Sequence, residues 1–243
     1  MMANHIRSKA LTGLVALAVA LPALAQDLDS VEKRIVQAAE KVKSFTADMT
    51  MAGQMQQMGK TMTSSGKGTI EAMRKGDKML ARMEQNMTME TGGQKMEIST
   101  LTVIDEEYMY ILTERLGQKM AMKRKSDAAQ MQFAGKGMLE DLHKEHDLKL
   151  LPEMRVDDRE AYVIEATPKN QAGAVEKQLF CFDKQTGMLL KMQGLAGGGQ
   201  PAFTTTFTNF KINPEIKPDR FKFKAPEGVQ VMDMTNMPMP KQP

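Results

Sequence analysis

Between residues 78 and 90 apolar and polar side chains alternate with a period of two. Met79, Met83, Met87 and Met89 hold odd positions, and Arg82, Glu84, Asn86, Thr88 and Glu90 hold even ones. This is the pattern of a β-strand with one apolar face and one wet face. The same period recurs along most of the chain. Phe45, Ala47, Met49 and Met51 alternate with Thr46, Asp48 and Thr50. Further strands are predicted over 66–74, 95–104, 108–112, 119–123, 155–166 (with a turn at Asp157-Asp158), 177–183, 188–193 and 202–212. Gly76, Gly92-Gly93, Gly117 and the run Lys184-Gln185-Thr186-Gly187 supply the turns between them. Residues 53–65, polar and dotted with methionine, read as a hairpin or a long loop.

Two segments break this rhythm. Leu28, Val31, Ile35, Ala38, Ala39 and Val42 fall on one stripe of a helix predicted over 30–43, with Asp29 as N-cap and Glu32 completing a capping box. Over 126–146 the period-two signal vanishes. Met131, Phe133, Met138, Leu139 and Leu142 there suggest short helices interrupted by Gly135 and Gly137, whose backbone freedom suits a hinge. About ten strands in sequence, joined by short turns, predict an antiparallel meander. The fold class is mainly β with helices (α+β): a large curved sheet wrapping its helices against the concave face.

The ends of the chain read differently. His5, Arg7 and Lys9 precede an apolar run from Ala10 to Leu21 and then Ala23-Leu24-Ala25. Residues 1–25 therefore read as a secretory signal peptide cleaved after Ala25, and the apolar run is shorter than the ~20 residues that span a bilayer. Residues 232–243, rich in Met and Pro, read as a tail without regular structure. Residues 26–231 between them are enough for one β-rich domain. The formal net charge is +3, and Arg7 and Lys9 leave with the signal, so no basic stripe points to nucleic acid. Cys181 is the single cysteine and lies in the apolar run Leu179-Phe180-Cys181-Phe182, as a buried structural thiol would.

Methionine supplies 25 residues and tryptophan none, which changes the reading of the apolar face. Methionine is unbranched, flexible and polarizable, so a sheet faced with it is an adaptable binding surface more than a rigid reaction site. Its thioether is also a soft ligand for Cu(I). Met49-x-Met51, Met55-x-x-Met58, Met87-x-Met89 and Met232-x-Met234 have spacings compatible with that metal, although no cysteine accompanies them. His143-x-x-His146, beside Glu140, Asp141 and Asp147, is a weaker metal candidate, since two histidines alone lack a full ligand set. Ser64-Ser65-Gly66 is no nucleophile elbow, Gly197-Gly198-Gly199 has no phosphate-loop context, and no catalytic constellation emerges. The chain reads as a binding protein, with neither an enzymatic activity nor a cofactor expected.

Several segments resemble the LolA/LolB superfamily of periplasmic lipid and lipoprotein carriers. At the C-terminal end these are Phe207-Thr208-Asn209-Phe210-Lys211-Ile212-Asn213, Pro218-Asp219-Arg220-Phe221-Lys222-Phe223 and Ala225-Pro226-Glu227-Gly228-Val229. Val42 to Asp48, the strand from Gly66 to Arg74 and the Asp183 to Gly187 hairpin are similar to that family too. The resemblance implies a half-open, curved antiparallel β-barrel with an N-terminal helix and a helical lid on its concave face. It implies an apolar cavity for the acyl chains of a lipoprotein or lipid, lined here by Met49, Met51, Met79, Met83, Met87 and Met89. Met131, Phe133, Met138, Leu139 and Leu142 would form the lid, and Arg74 would be the latch that holds it closed. The expected protein is a monomeric periplasmic carrier in outer-membrane lipoprotein sorting, with an envelope membrane protein as donor or acceptor. A lipid-sensing module on the same fold and a Met-rich Cu(I)-binding protein are the alternatives. The chain departs from the family where Lys75-Gly76-Asp77-Lys78-Met79 follows Arg74, where Asp105-Glu106-Glu107 precedes Tyr108, and where methionines replace cavity aromatics.

Overall fold

The structure, a computed structural model, describes residues 27–57, 60–76, 78–126, 135–170 and 174–235. The segment read as a signal peptide lies outside the described residues, as do Met58, Met131, Phe133, Met237 and Met239. Among the described residues no helix is long and apolar enough to cross a membrane.

Helix α1 runs Leu28–Ala39. It begins two residues before the predicted start, because Asp27 and not Asp29 is the N-cap: its Oδ1 accepts a hydrogen bond from the Ser30 amide at 2.7 Å. That bond satisfies one of the free donors of the first turn and lowers the Asp27 carboxyl below its ordinary range. Glu32, freed from a capping box, reaches another helix instead.

Six strands follow in meander: β1 (Ser44–Gln57), β2 (Lys60–Lys75), β3 (Lys78–Thr91), β4 (Gln94–Ile104), β5 (Tyr108–Arg115) and β6 (Gln118–Lys125). The loop expected over 53–65 is instead the continuation of β1 into β2. Gly53 pairs with Ser64, Gln54 with Thr63 and Met55 with Met62, so the alternation carries on to the hairpin tip. Helix α2 (Lys136–Glu145) crosses to a second meander of β7 (His146–Val156), β8 (Arg159–Pro168), β9 (Lys177–Asp183), β10 (Leu189–Leu195) and β11 (Pro201–Ile212). β7 extends well before the predicted start at residue 155, because Leu148 and Leu150 alternate with Asp147 and Lys149. β11 pairs antiparallel with β1 and joins the two meanders and a last short strand, β12 (Val231–Asp233), into a single twelve-stranded sheet, ordered β12-β6-β5-β4-β3-β2-β1-β11-β10-β9-β8-β7. Its edges, β12 and β7, do not meet, so the barrel is half-open.

The twelfth strand corrects the reading of the tail. Met232 and Asp233 belong to β12 (Val231–Asp233), which pairs parallel with Ala121–Lys123 of β6. The chain reaches that edge by crossing the convex face. Phe221, in a 3-10 turn, is buried; Arg220 pairs with Glu71 of β2 at 2.8 Å; and the Phe223 ring stacks on Tyr110 with centroids 4.9 Å apart. Beneath this strap Leu80, Val103 and Ala121, on the convex face of the first meander, are buried. Buried apolar area justifies the crossing, and a Met/Pro-rich composition gives no sign of it.

The principal core lies on the concave side. Val31 and Ile35 of α1, with Leu139 and Leu142 of α2, pack with Phe45, Ala47, Met49, Ile70, Ala72, Phe180 and Phe182 of the sheet. A smaller cluster of Val156, Ala161, Val163, Cys181 and Leu190 lies on the other face of the second meander.

Candidate functional site

Cross-strand register places residues on one face or the other of a sheet, because directly paired residues share a face. One row of pairs runs Ala47, Ile70, Met83, Thr102, Ile111 and Met122 from β1 to β6. Two residues toward the hairpin tips, Met49 is followed by Gly68, Gln85, Thr100, Thr113 and Met120. The next rows are Met51, Gly66, Met87 and Ile98, then Gly53, Ser64, Met89 and Met96, then Met55 and Met62. All six methionines assigned to the cavity therefore share the concave face, but in two environments. Met49, Met79 and Met83 belong to, or pack against, the helix-covered core, whereas Met51, Met87 and Met89 lie beyond it and are half-buried.

Sequence reasoning overlooked Met55, Met62, Met96, Met109, Met120, Met122 and Met192 on the same face. Met55 and Met62 fell in the segment read as a loop. The alternation of β4 would have placed Met96 opposite Met89. With these, thirteen methionines among the described residues share one face of one sheet.

Gly66 and Gly68 form the floor. A Cβ at Gly68 would stand 2.4 Å from the Glu84 carbonyl oxygen and 3.0 Å from Met49 Cε. One at Gly66 would meet Met87 Cγ at 2.9 Å and Met51 Cε at 3.1 Å. The methionine side chains thus lie down over bare backbone, which makes the face a trough.

The two helices that cover the trough touch through one polar contact. His143 Nε2 lies 2.9 Å and 3.1 Å from the two carboxylate oxygens of Glu32 on α1. Lys169 donates to the His143 carbonyl at 2.7 Å, placing a cation at the C-terminal end of α2. Beside this contact a cleft of about 410 Å³ opens between the helices, with Val36 and Leu139 among its walls. Arg74 is at the end of β2, exposed, and its side chain makes no hydrogen bond or ion pair among the described residues; its amide donates to the Lys43 carbonyl at 2.7 Å. Of the expected lid residues, Leu139 and Leu142 are buried and Met138 packs against the same core.

The histidines do not converge. His146 begins β7 and its Nε2 lies 3.5 Å from Gln178 Nε2, whereas His143 faces Glu32. Among the described residues no group of three or more His, Cys, Asp or Glu is placed to hold a metal ion. Cys181 is buried, and burial pushes its thiol up to about 11.

An uncharacterized protein of Methanocaldococcus jannaschii is 25% identical over 205 residues, which is 84% of this chain and 53% of that protein. The chain thus spans about half the length of this curated relative. The solved complex of Pseudomonas aeruginosa MucA and MucB is similar at 18% identity and a TM-score of 0.40, covering 79% of this chain and 59% of that one. A LolA superfamily protein from Nitrosomonas europaea is similar at 10% identity and a TM-score of 0.27, covering 79% of this chain and 98% of that one. The sequence model of the MucB/RseB N-terminal domain matches residues 41–225, from the end of α1 through the C-terminal strap, and the chain belongs to that family.

Proposed function

We propose that this is a secreted, periplasmic binding protein that holds the acyl chain of a lipid or lipoprotein between the methionine trough and helices α1 and α2. The observation that carries the reading is the shared face: Met49, Met51, Met79, Met83, Met87 and Met89 point the same way on a sheet whose helices cover only part of it. Each buried CH₂ contributes about 0.8 kcal/mol, so one long chain supplies ample driving force. A pliable methionine wall re-packs around chains of different length, and the cleft beside Val36 and Leu139 gives a way in between the helices. No catalytic step is part of the proposal. Native mass spectrometry of the protein purified from envelope extract tests it. Adducts that yield fatty-acyl species on extraction are the expected result, and an adduct-free protein that also fails to bind a fluorescent fatty acid overturns it.

A second reading is that the protein senses such a ligand and passes the signal to an envelope protein. Membership of the MucB/RseB family favours it, MucB itself having been solved in complex with MucA. Pull-down from envelope extract with and without added lipid separates the two. A partner released by lipid supports sensing, and lipid transfer between vesicles without a partner supports carriage.

A further inference from the structure

The part of the concave face beyond the helices has a composition that hydrophobicity alone does not select. On β1 to β4 it presents seven apolar side chains, Met51, Met55, Met62, Met87, Met89 and Met96 with Ile98, and six of the seven are methionine. None belongs to the helix-covered core, where the same strands supply Phe45, Ile70 and Ile104. Strands favour β-branched and aromatic residues; the covered region mixes these with Met49, Met79, Met83 and alanines, whereas the uncovered region is almost entirely methionine.

Register brings the six sulfurs into one group. Met55 is directly opposite Met62, and Met89 directly opposite Met96. Directly opposed Cβ atoms lie about 5 Å apart, and diagonal neighbours such as Met62 and Met89 are still within reach of long side chains. Met51 and Met87 meet above Gly66. The remaining positions among them are Gly53, Ser64 and Gly66, too small to keep the thioethers apart. Most charged residues of these strands take the other face, where Lys95 pairs with Glu90 at 3.9 Å, while Lys60 at the hairpin tip and Arg115 opposite Ile98 border the methionines. The result is a sulfur-rich surface without carboxylates, with Met55 46% exposed and therefore reachable.

The geometry points to a thioether-only binding site for Cu(I) on the uncovered end of the trough, centred on Met62, Met89 and Met96. Thioethers are soft, neutral donors that suit Cu(I) and discriminate against hard cations such as Mg²⁺ and Ca²⁺. The metal arrives and stays as Cu(I), so no electron is transferred. Thioethers also carry no proton to lose, so binding at this site does not depend on pH in the way that cysteine or histidine ligation does. The site lies outside the helix-covered core and shares only Met89 with the six methionines of the acyl-chain reading, and a different ligand tests each.

The test presents Cu(I), anaerobically and as its complex with a chromophoric chelator, to the full mature chain. Withdrawal of one equivalent, with equal affinity at pH 7 and pH 5 and a sulfur-only first shell by X-ray absorption, is expected. The M62L/M89L/M96L variant keeps an apolar surface but no donor sulfur. It should weaken Cu(I) binding at least tenfold while circular dichroism stays unchanged; should it fail to fold, M62L and M96L singly must weaken binding in the same direction. Replacing Met232, Met234, Met237 and Met239 by Leu should change nothing. Failure to withdraw Cu(I), nitrogen or oxygen in the first shell, loss of affinity at pH 5, or a loss that follows the Met232 to Met239 replacements each overturns the proposal.

Discussion

His143 on α2 and Glu32 on α1 are 111 residues apart in the chain, yet His143 Nε2 rests 2.9 Å from the Glu32 carboxylate and ties the two covering helices together. The histidine side chain is about half exposed, so the contact is discounted for solvent and contributes about 0.5–1 kcal/mol. H143A and E32Q should therefore raise the local opening of α2 about two- to fivefold. Hydrogen exchange at the Leu139 and Leu142 amides reads this directly. Exchange equal to wild type in both variants would return the latch role to Arg74, whose side chain has no such contact among the described residues.

Asp183 is a buried charge held by several bonds at once. It is 2% exposed, accepts from Arg159 Nη1 at 2.8 Å, and accepts from the Thr186 hydroxyl and amide at 2.5 and 3.2 Å. These bonds close the turn whose Gly187, at φ +67°, packs against α1 with no room for a side chain. Asp183→Ala leaves the Arg159 guanidinium without its carboxylate and the turn donors unsatisfied, at a cost of about 3–5 kcal/mol. Chemical denaturation should show that loss, whereas K184A, which removes exposed pairs to Glu153 and Glu160, should cost about 1 kcal/mol or less.

The contrast between Asp183 and His143 shows what the sequence could carry. The Asp183 to Gly187 hairpin is local: acceptor, hydroxyl and glycine lie within five positions, and the turn signal is complete. Likewise Met79, Met83, Met87 and Met89 announce their common face by parity alone. The His143–Glu32 contact joins residues whose own neighbourhoods suggest other roles, a metal site and a capping box, and only the packing of α2 beside α1 decides between them. Met96 illustrates an intermediate case. Its face follows from parity within β4, but its partnership with Met89 needs the register, which the Gly92-Gly93 turn sets. The docking of β12 depends on buried area beneath the strap at Leu80 and Val103, which no local pattern at Met232 reveals.

Cys181 should be chemically silent in the folded protein. It is 2% exposed, its sulfur lies 3.6 Å from Met154 Sδ, and burial raises its thiol to about 11, far from the pH at which a thiolate would be abundant. Iodoacetamide at pH 8 should leave the native protein unmodified and label it fully in denaturant. Labelling of the native protein at the rate of a free thiol would show that the β9 region opens readily.

Gly68 is required by close approach and not by turn geometry. Gly68→Val would bring a β-branched residue that strands favour, worth about 1 kcal/mol at most. Against this, its Cβ would stand 2.4 Å from the Glu84 carbonyl oxygen, which is backbone and cannot swing aside. Overpacking of this kind costs about 1–3 kcal/mol, so strain wins and the midpoint of thermal unfolding should fall. Gly66→Ala meets the Asn86 carbonyl oxygen at 2.8 Å but otherwise a methionine chain that can move, so its loss of stability should be smaller, while filling the floor between Met51 and Met87 should weaken fatty-acid binding. Equal stability of the Gly68 and Gly66 variants would contradict this ordering.

The docking of β12 should depend on pH in a defined window. Asp233 accepts from Thr235 and from Lys123, whose Nζ lies 2.9 Å away, and these contacts hold its carboxyl well below the ordinary carboxylate range. A lowered value in the docked state means that the charged form is favoured there. Its contribution is present above the free-carboxylate value of about 4 and is lost progressively as pH falls below it. Lys123 works with the opposite sign: its ammonium is raised, chiefly by the Asp233 bond, so its contribution is present below about 10 and is lost as pH rises beyond that. Asp233 is exposed and Lys123 only partly covered, so the effect is confined to this edge and should leave global unfolding unmoved. Methyl NMR of labelled methionines can follow it through Met232, beside the tether, with Met109 in the core as internal reference. The Met232 signal should hold steady from pH 5 to 9 and shift toward its random-coil position below about pH 4. In D233N it should lie near that position throughout. A Met232 signal indifferent to both acid and D233N would mean that the ladder to Ala121–Lys123 holds β12 without the tether.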